Sequence, residues 1–433
     1  MLLFYIYPFL LFFVVNGFDR NSFLIVIISA VILSLYFFFL GKKLHVFKNQ
    51  FILLFLYNVL LRCIVMGSTP HFSDDVYRYL FDAKILLNGQ FPYEFTPSEW
   101  MNLHPNTNDD LNRLYSNMNS SHYYSVYPLF LLLFFMIGSV LNSFLHSMFL
   151  GVQIVFVLVD LVNLSLIRRF FPKESMEFYW AYFANPIILI EGISQMHPEI
   201  LLVPWVLILL QTKSNWKQGI FLTLLTQLKF NTLLFVFGYL KEKRKKIYIL
   251  VGILFSFIIW KLTVFANLES QGSKGIGLFF HSFRFAGLLE PFLYFILKQI
   301  GHAYLSGFIS LSLCGLLFFC FIFNQNFRNF PVEKRLFVLY FCFMLMSPVI
   351  HPWYWILFIL LGVVNRIHLL WQSLLVFLTF LSYLIYVSEN YFYLYWALSF
   401  VVIGLYGIKE IDYFRKTTNP GTSENSFSKD TRR

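Results

Sequence analysis

The chain has 433 residues, of which 58% are hydrophobic, 21% aromatic and only 13% charged, with a formal net charge of +11. A soluble domain carries about a quarter charged residues, so this inventory excludes a water-soluble surface and suits a lipid-facing one. The positive charge is expected from basic loops on one side of a membrane, not from nucleic-acid binding.

The N-terminus is apolar from its first residue and lacks both a basic n-region and a small-residue cleavage site. It reads as a membrane segment rather than a removed signal peptide. Runs at 22–40, 151–167, 247–266 and 304–323 carry at most one charge, over roughly the 20 residues that a spanning helix needs. Backbone polar groups in lipid must be satisfied within a helix or a closed barrel, and continuous rather than alternating apolarity selects helix. The expected fold is therefore all-α, a multi-pass transmembrane bundle of about 11–14 apolar helices.

Lys and Arg cluster at Lys42, Lys43 and Lys48, at Arg168, Arg169 and Lys173, at Lys213 and Lys217, and at 241–246. Further clusters follow at Arg328, Lys334 and Arg335, at Arg366, and after Lys409. The positive-inside rule assigns these to the cytoplasmic side. Two long loops, 68–125 and 267–301, then fall outside, with the short connections around His197 and His351. Parity fails between the first long loop and Arg168, so segment 126–141 is expected to be re-entrant or not to span. The stretch 219–240, with Lys229 and Asn231 at its middle, reads as a hairpin. Residues 1–408 form the membrane domain, and 409–433 a cytoplasmic tail expected to be disordered. The four cysteines lie in apolar segments and suggest neither a disulfide framework nor a metal site.

The most informative stretch is 73–89. Ser73 is placed as an N-cap with Asp74 and Asp75 in the first turn, and Gly89 and Pro92 close the helix. Val76, Leu80, Ala83 and Leu87 form an apolar stripe, and Asp75, Arg78 and Asp82 a polar one. That pattern predicts an amphipathic helix on the membrane surface. Its acids either cap and solvate the helix or supply a general base at the mouth of a helical cavity. Glu191 lies deep in an apolar stretch, where a charge is costly and a functional suspect by default. His197 and the His351–Tyr354 cluster stand at outer boundaries.

Together these stretches resemble the GT-C superfamily of membrane glycosyltransferases, nearest to the bacterial polyprenyl-phosphate-mannose-dependent mannosyltransferases. Ser73–Asp82 with Gly89 and Pro92-Tyr93 is similar to that branch's first-loop signature, and Tyr127-Pro128 to the end of that loop. Asn185-Pro186 through His197 resembles its Asn-Pro…Gly-His segment, with Glu199 where an Asp is more usual. Lys229 resembles a lysine of its mid-chain hairpin. Residues 279–287 resemble an aromatic–Phe–Asn–small element in which Ala286 replaces the Asn. His351-Pro352-Trp353-Tyr354 is similar to its late His-Pro-Trp-Tyr.

The resemblance implies an inverting transfer of a sugar, mannose first, from a polyprenyl-phosphate-linked donor to a glycan or lipid acceptor. The site would lie on the extracytoplasmic face of the inner (cell) membrane. It makes Asp75 the base, with Asp74 close behind. Arg78, Asp82, Glu191, His197 and Tyr354 become substrate-binding candidates, and Lys229, Arg284 and His351 candidates for the leaving phosphate. Independently, nucleotide sugars are not expected outside the cell, and 272–277 lacks the context of a nucleotide cradle. A lipid-linked donor follows for an outward-facing enzyme. No metal-ligand spacing is evident, although some GT-C enzymes use a divalent cation. The competing class is a transporter or lipid flippase, which would show internal repeats and midplane charges; neither is visible. A non-catalytic scaffold subunit would not require the first-loop acids.

Overall fold

The computed structural model describes residues 2–47, 50–240, 243–266, 274–278 and 283–418, with backbone alone over 243–246 and 407–418. Most of the tail expected to be disordered, 419–433, and residues 267–273 and 279–282 of the second long loop lie outside the described residues. The last helix nevertheless runs Tyr391–Thr418, so the first part of that tail is helical rather than irregular.

The expected apolar runs form helices. Those long enough to cross a bilayer are Phe23–Gly41, Leu150–Phe170, Ala303–Phe323 and Leu369–Val387. A pair bent by 118°, Met176–Ser194 with Glu199–Gln211, passes the same test jointly, and among the described residues seven shorter apolar helices accompany them. Large apolar side chains such as Phe13, Ile28, Leu254 and Phe323 point outward and are more than half exposed. Such a surface is stable against lipid but not against water.

Ion pairs and ring contacts give the bundle two distinct ends. Helices α1 (Leu2–Gly17) and α2 (Phe23–Gly41) are joined by a turn whose Arg20 pairs with Asp74 at 2.9 Å. At the far end of α2, Lys42 pairs with Glu177 at 2.9 Å. Helix α3 (Phe51–Val65) starts beside Arg168, whose guanidinium sits 4.6 Å from the Phe51 ring centroid. Arg366 reaches Glu174 at 2.6 Å. The basic residues thus gather at one end and the first-loop acids at the other.

This arrangement accounts for the parity problem. Helix α4 (Asp75–Leu87) lies in the first long loop, with α5 (Pro97–Leu103) and α6 (Asp109–Asn117) over it. Helix α7 (Leu129–Phe144) follows, then α8 (Leu150–Phe170). Helix α7 packs along α4: Tyr79 meets both Tyr127, before α7, and Phe135, within it, at 4.5 and 4.7 Å. After α7, Phe149 meets Tyr77 at 5.6 Å. Gln153 accepts from the Gly67 N–H at 2.7 Å and donates to the Ser68 carbonyl at 2.8 Å. The start of α8 therefore meets the end of α3, and α7 begins and ends at the acidic end. Helix α8 then runs back to place Arg168 beside Phe51.

Helix α9 (Met176–Phe183) leads into a π-helical turn, Ile188–Ser194, and α10 (Glu199–Gln211) descends from it. Helix α11 (Asn215–Leu228) returns, and the chain reverses at Lys229. Lys229 meets Glu199 at the start of α10, and the Tyr239 hydroxyl meets the Leu209 carbonyl near its other end at 3.2 Å. Later helices alternate similarly: α12 (Phe235–Tyr239), α13 (Lys243–Leu262), α14 (Glu290–Gln299), α15 (Ser306–Phe323), α16 (Val332–Met346), α17 (Trp355–Val364) and α18 (Leu369–Leu381).

Mid-bundle, Arg62 and Asp160 form a fully buried ion pair at 2.6 Å. The Asp160 carboxylate also accepts from the Tyr182 hydroxyl at 3.0 Å and from Asn163 at 3.2 Å. These extra bonds offset the desolvation that makes buried pairs costly.

Candidate active site

The first-loop helix forms where expected, with two differences. Asp74, not Ser73, occupies the N-cap and makes no side-chain cap bond. Its carboxylate is held by Arg20, while the Ser73 hydroxyl accepts from the Asp75 N–H at 3.3 Å. The second difference is that two of the three polar-stripe residues, Arg78 and Asp82, are buried, so α4 does not lie half-exposed on a surface. Arg78 and Asp82 are 2% and 1% exposed and pair at 2.9 Å. Arg78 also donates to the Ser120 and Tyr123 carbonyls at 2.9 and 2.8 Å. The loop after α6 folds back over α4 and needs a buried donor there, so this pair clamps loop to helix. Burial holds the Asp82 carboxyl above its ordinary range, against the pull of Arg78.

Asp75 is partly exposed and makes no such clamp. Burial pushes its carboxyl up to about 6, opposed by Lys229 and reinforced by Asp74. Tyr79 and Arg20 are its other polar neighbours.

Lys229 reaches this point because the chain is extended there, φ −157° and ψ 130°, between α11 and the 3-10 turn Phe230–Leu234. Its ammonium pairs with the fully buried Glu199 and lies 4.1 Å from the Tyr354 ring centroid. It is also within electrostatic reach of Asp75, His197 and His351.

The two histidines belong to one column of rings. His197 stacks on Trp353 at 3.7 Å, Trp353 on His351 at 4.3 Å, and His351 on Phe285 at 5.0 Å. Phe285 is held by two backbone bonds, to Pro348 O at 3.0 Å and from Ile350 N at 2.7 Å. Ala286 next to it adopts φ 51°, a left-handed conformation that Asn tolerates better than Ala. A Cβ on Gly287 would meet the Pro348 carbonyl oxygen at 3.1 Å. An Asn followed by a small residue, the pattern that this stretch resembles, would suit both constraints.

Burial and the nearby Lys229 lower His351 to about 3. It therefore offers a neutral ring N–H, not the positive charge expected of it. Both ring nitrogens of His197, Nδ1 of His351 and Oε2 of Glu191 lack a hydrogen-bond partner although buried. Glu191 accepts from the Tyr383 hydroxyl at 2.9 Å, and its other oxygen lies 3.5 Å from His197 Nε2. Unpaired buried polar atoms are expensive, and here several of them cluster beside Lys229.

The structure thus brings together Asp74, Asp75, Glu191, His197, Lys229, His351 and Tyr354. It does not bring in the Arg284 guanidinium, which donates to Glu290, Ala303 O and Ser306 and stacks on Tyr294. Only its neighbour Phe285 reaches the ring column.

Residues not singled out as site candidates are Arg20, Glu199, Trp353, Tyr383 and Tyr386. Arg20 packs 5.0 Å from the Tyr386 ring centroid while binding Asp74. One signal was available: a basic residue at the end that the positive-inside rule leaves acidic. Among the described residues, no group of three or more His, Cys, Asp or Glu side chains could hold a metal ion.

No curated protein and no solved structure matches this chain. Residues 11–239, from the second half of α1 through α12 and with Asp75 and Lys229 included, match the model of the MptA_B family, described as alpha-(1->6)-mannopyranosyltransferase, N-terminal domain. With more than half of its length matched, the chain belongs to that family of mannosyltransferases.

Proposed function

We propose that this mannosyltransferase moves mannose from a polyprenyl-phosphate-linked donor to a glycan or lipid acceptor at the acidic end of the bundle, outside the cell membrane. The observation that supports the reading is that Asp75 lies within electrostatic reach of Lys229, beside unpaired buried polar groups, at the end opposite the basic clusters. Asp75 takes the proton from the acceptor hydroxyl as its oxygen attacks the anomeric carbon. The bond from that carbon to the phosphate oxygen breaks, and the lipid phosphate leaves toward Lys229. Attack opposite the leaving group inverts the anomeric configuration. His197 and His351 supply neutral N–H groups, which orient substrate hydroxyls or phosphate oxygens without adding charge. Family membership favours transfer over the transporter or flippase alternative.

Purified protein given labelled polyprenyl-phosphate mannose and an α-(1→6)-linked mannoside acceptor should transfer label, with the anomeric configuration inverted. Transfer from GDP-mannose alone, without any lipid carrier, would overturn the donor assignment. The orientation is tested separately. An impermeant maleimide on intact cells should label a cysteine placed at Asn117 and spare one placed at Lys213, in the turn before α11. The reverse pattern would put the site inside.

A further inference from the structure

We infer that a polar cavity beside α4, separate from the ring column, seats the sugar of the acceptor; the inference rests on the transferase reading above. The cavity has a volume of about 340 Å³, within the roughly 300–1,000 Å³ of small-molecule sites and suited to one or two sugar rings. It lies between the end of α3, helices α4 and α6, and the α7–α8 turn. Tyr77, Arg113, Asn117, Thr69, Ser147 and Phe149 are among its lining residues.

Three features specify the ligand class. The walls are mostly polar, which a prenyl or acyl chain would leave unsatisfied. Among the described residues, the half-buried Tyr77 hydroxyl, the exposed Thr69 hydroxyl and the exposed Arg113 guanidinium have no hydrogen-bond or ion-pair partner. They remain available for a ligand's hydroxyls. Tyr77 and Phe149 meet edge to face at 5.6 Å and 81°, giving an aromatic wall for the C–H face of a pyranose. A single arginine does not neutralise a nucleoside diphosphate. Polar rim plus aromatic wall describes a neutral carbohydrate.

The position fits an acceptor rather than a donor. Tyr77 is one helical turn after Asp74 and shares its face of α4, so the cavity adjoins the acid pair on the Asp74 side. Lys229 and the histidine column, proposed for the lipid phosphate, do not line it.

The test is equilibrium binding of α-(1→6)-mannobiose to the purified full chain, without donor. Wild type and Asp75→Asn should bind equally. Arg113→Ala combined with Asn117→Ala should raise Kd at least about tenfold, since each lost hydrogen bond is worth about fivefold. Tyr77→Phe keeps the ring and should raise Kd about fivefold; it carries the test if the double variant does not fold. In turnover, the double variant should raise KM for the mannoside while kcat stays within twofold. Unchanged affinity in these variants would overturn the inference, as would no measurable binding to wild type. Competition by inorganic phosphate, with Arg113 as its receptor, would overturn it too. If mannobiose binds in this cavity-dependent way but no label moves from polyprenyl-phosphate mannose, the donor reading fails and the cavity assignment stands.

Discussion

Asp75→Asn should abolish mannosyl transfer while leaving the protein folded and slightly more stable at neutral pH. Asn keeps the size of Asp but cannot take the acceptor's proton, and general base catalysis is worth about 10²–10⁴-fold. The sign of the stability effect follows from the raised carboxyl pKa of about 6, against about 3.9 unfolded. Between those values the folded state holds more protons than the unfolded one, so stability falls as pH rises through that window. Ionised Asp75 therefore destabilises the native state at pH 7, and Asn removes that penalty. A residue present only for structure predicts the opposite, a loss of stability with activity retained. For wild type, kcat/KM should fall below about pH 6, where the base becomes protonated; that limb should be absent from any residual Asp75→Asn activity. Asp74→Asn should be milder, because Asp74 is occupied by Arg20 at 2.9 Å. Near-normal turnover in both single variants and the double variant would remove the carboxylate mechanism.

The second large effect is expected at Lys229. Lys229→Met should reduce kcat by about 10²–10³-fold, the usual cost of removing one group that stabilises developing charge. It should also destabilise the protein, because Glu199 is fully buried and would lose its cation. Breaking a buried pair costs about 3–5 kcal/mol. The two effects separate in the double variant Lys229→Met with Glu199→Gln, which removes both charges. Its thermal stability in detergent should return most of the way to wild type while activity stays low. Recovery of activity along with stability would mean that Lys229 acts only through Glu199.

Several features were legible in the sequence because they depend on local composition. Apolar runs of the right length can only be helices in lipid, and they formed at Phe23–Gly41, Leu150–Phe170 and Ala303–Phe323. The basic clusters segregated, the helix at Asp75–Leu87 appeared, and the order of Asp75, His197, Lys229 and His351 pointed to the family that residues 11–239 match. Each of these is a property of a few consecutive residues or of their order.

Tertiary structure decided which polar residues share a site. In 73–82 the stripe of Asp75, Arg78 and Asp82 looked like one functional face. Folding split it, because the returning 118–125 loop buried Arg78 and Asp82 as a clamp and left Asp75 to Lys229. Arg284 looked like a phosphate ligand until the short turn to α14 gave it Glu290. Glu199, which pairs with Lys229 across 30 positions, and Arg20, which pairs with Asp74 across 54, carry no local mark of their partners. The charge parity already marked 126–141 as a segment that does not cross, but only the packing of α7 on α4 shows which contacts hold its two ends together. Periodicity reports how a segment meets its solvent. Pairing between distant charges depends on which helix ends meet, and only the packed chain fixes that.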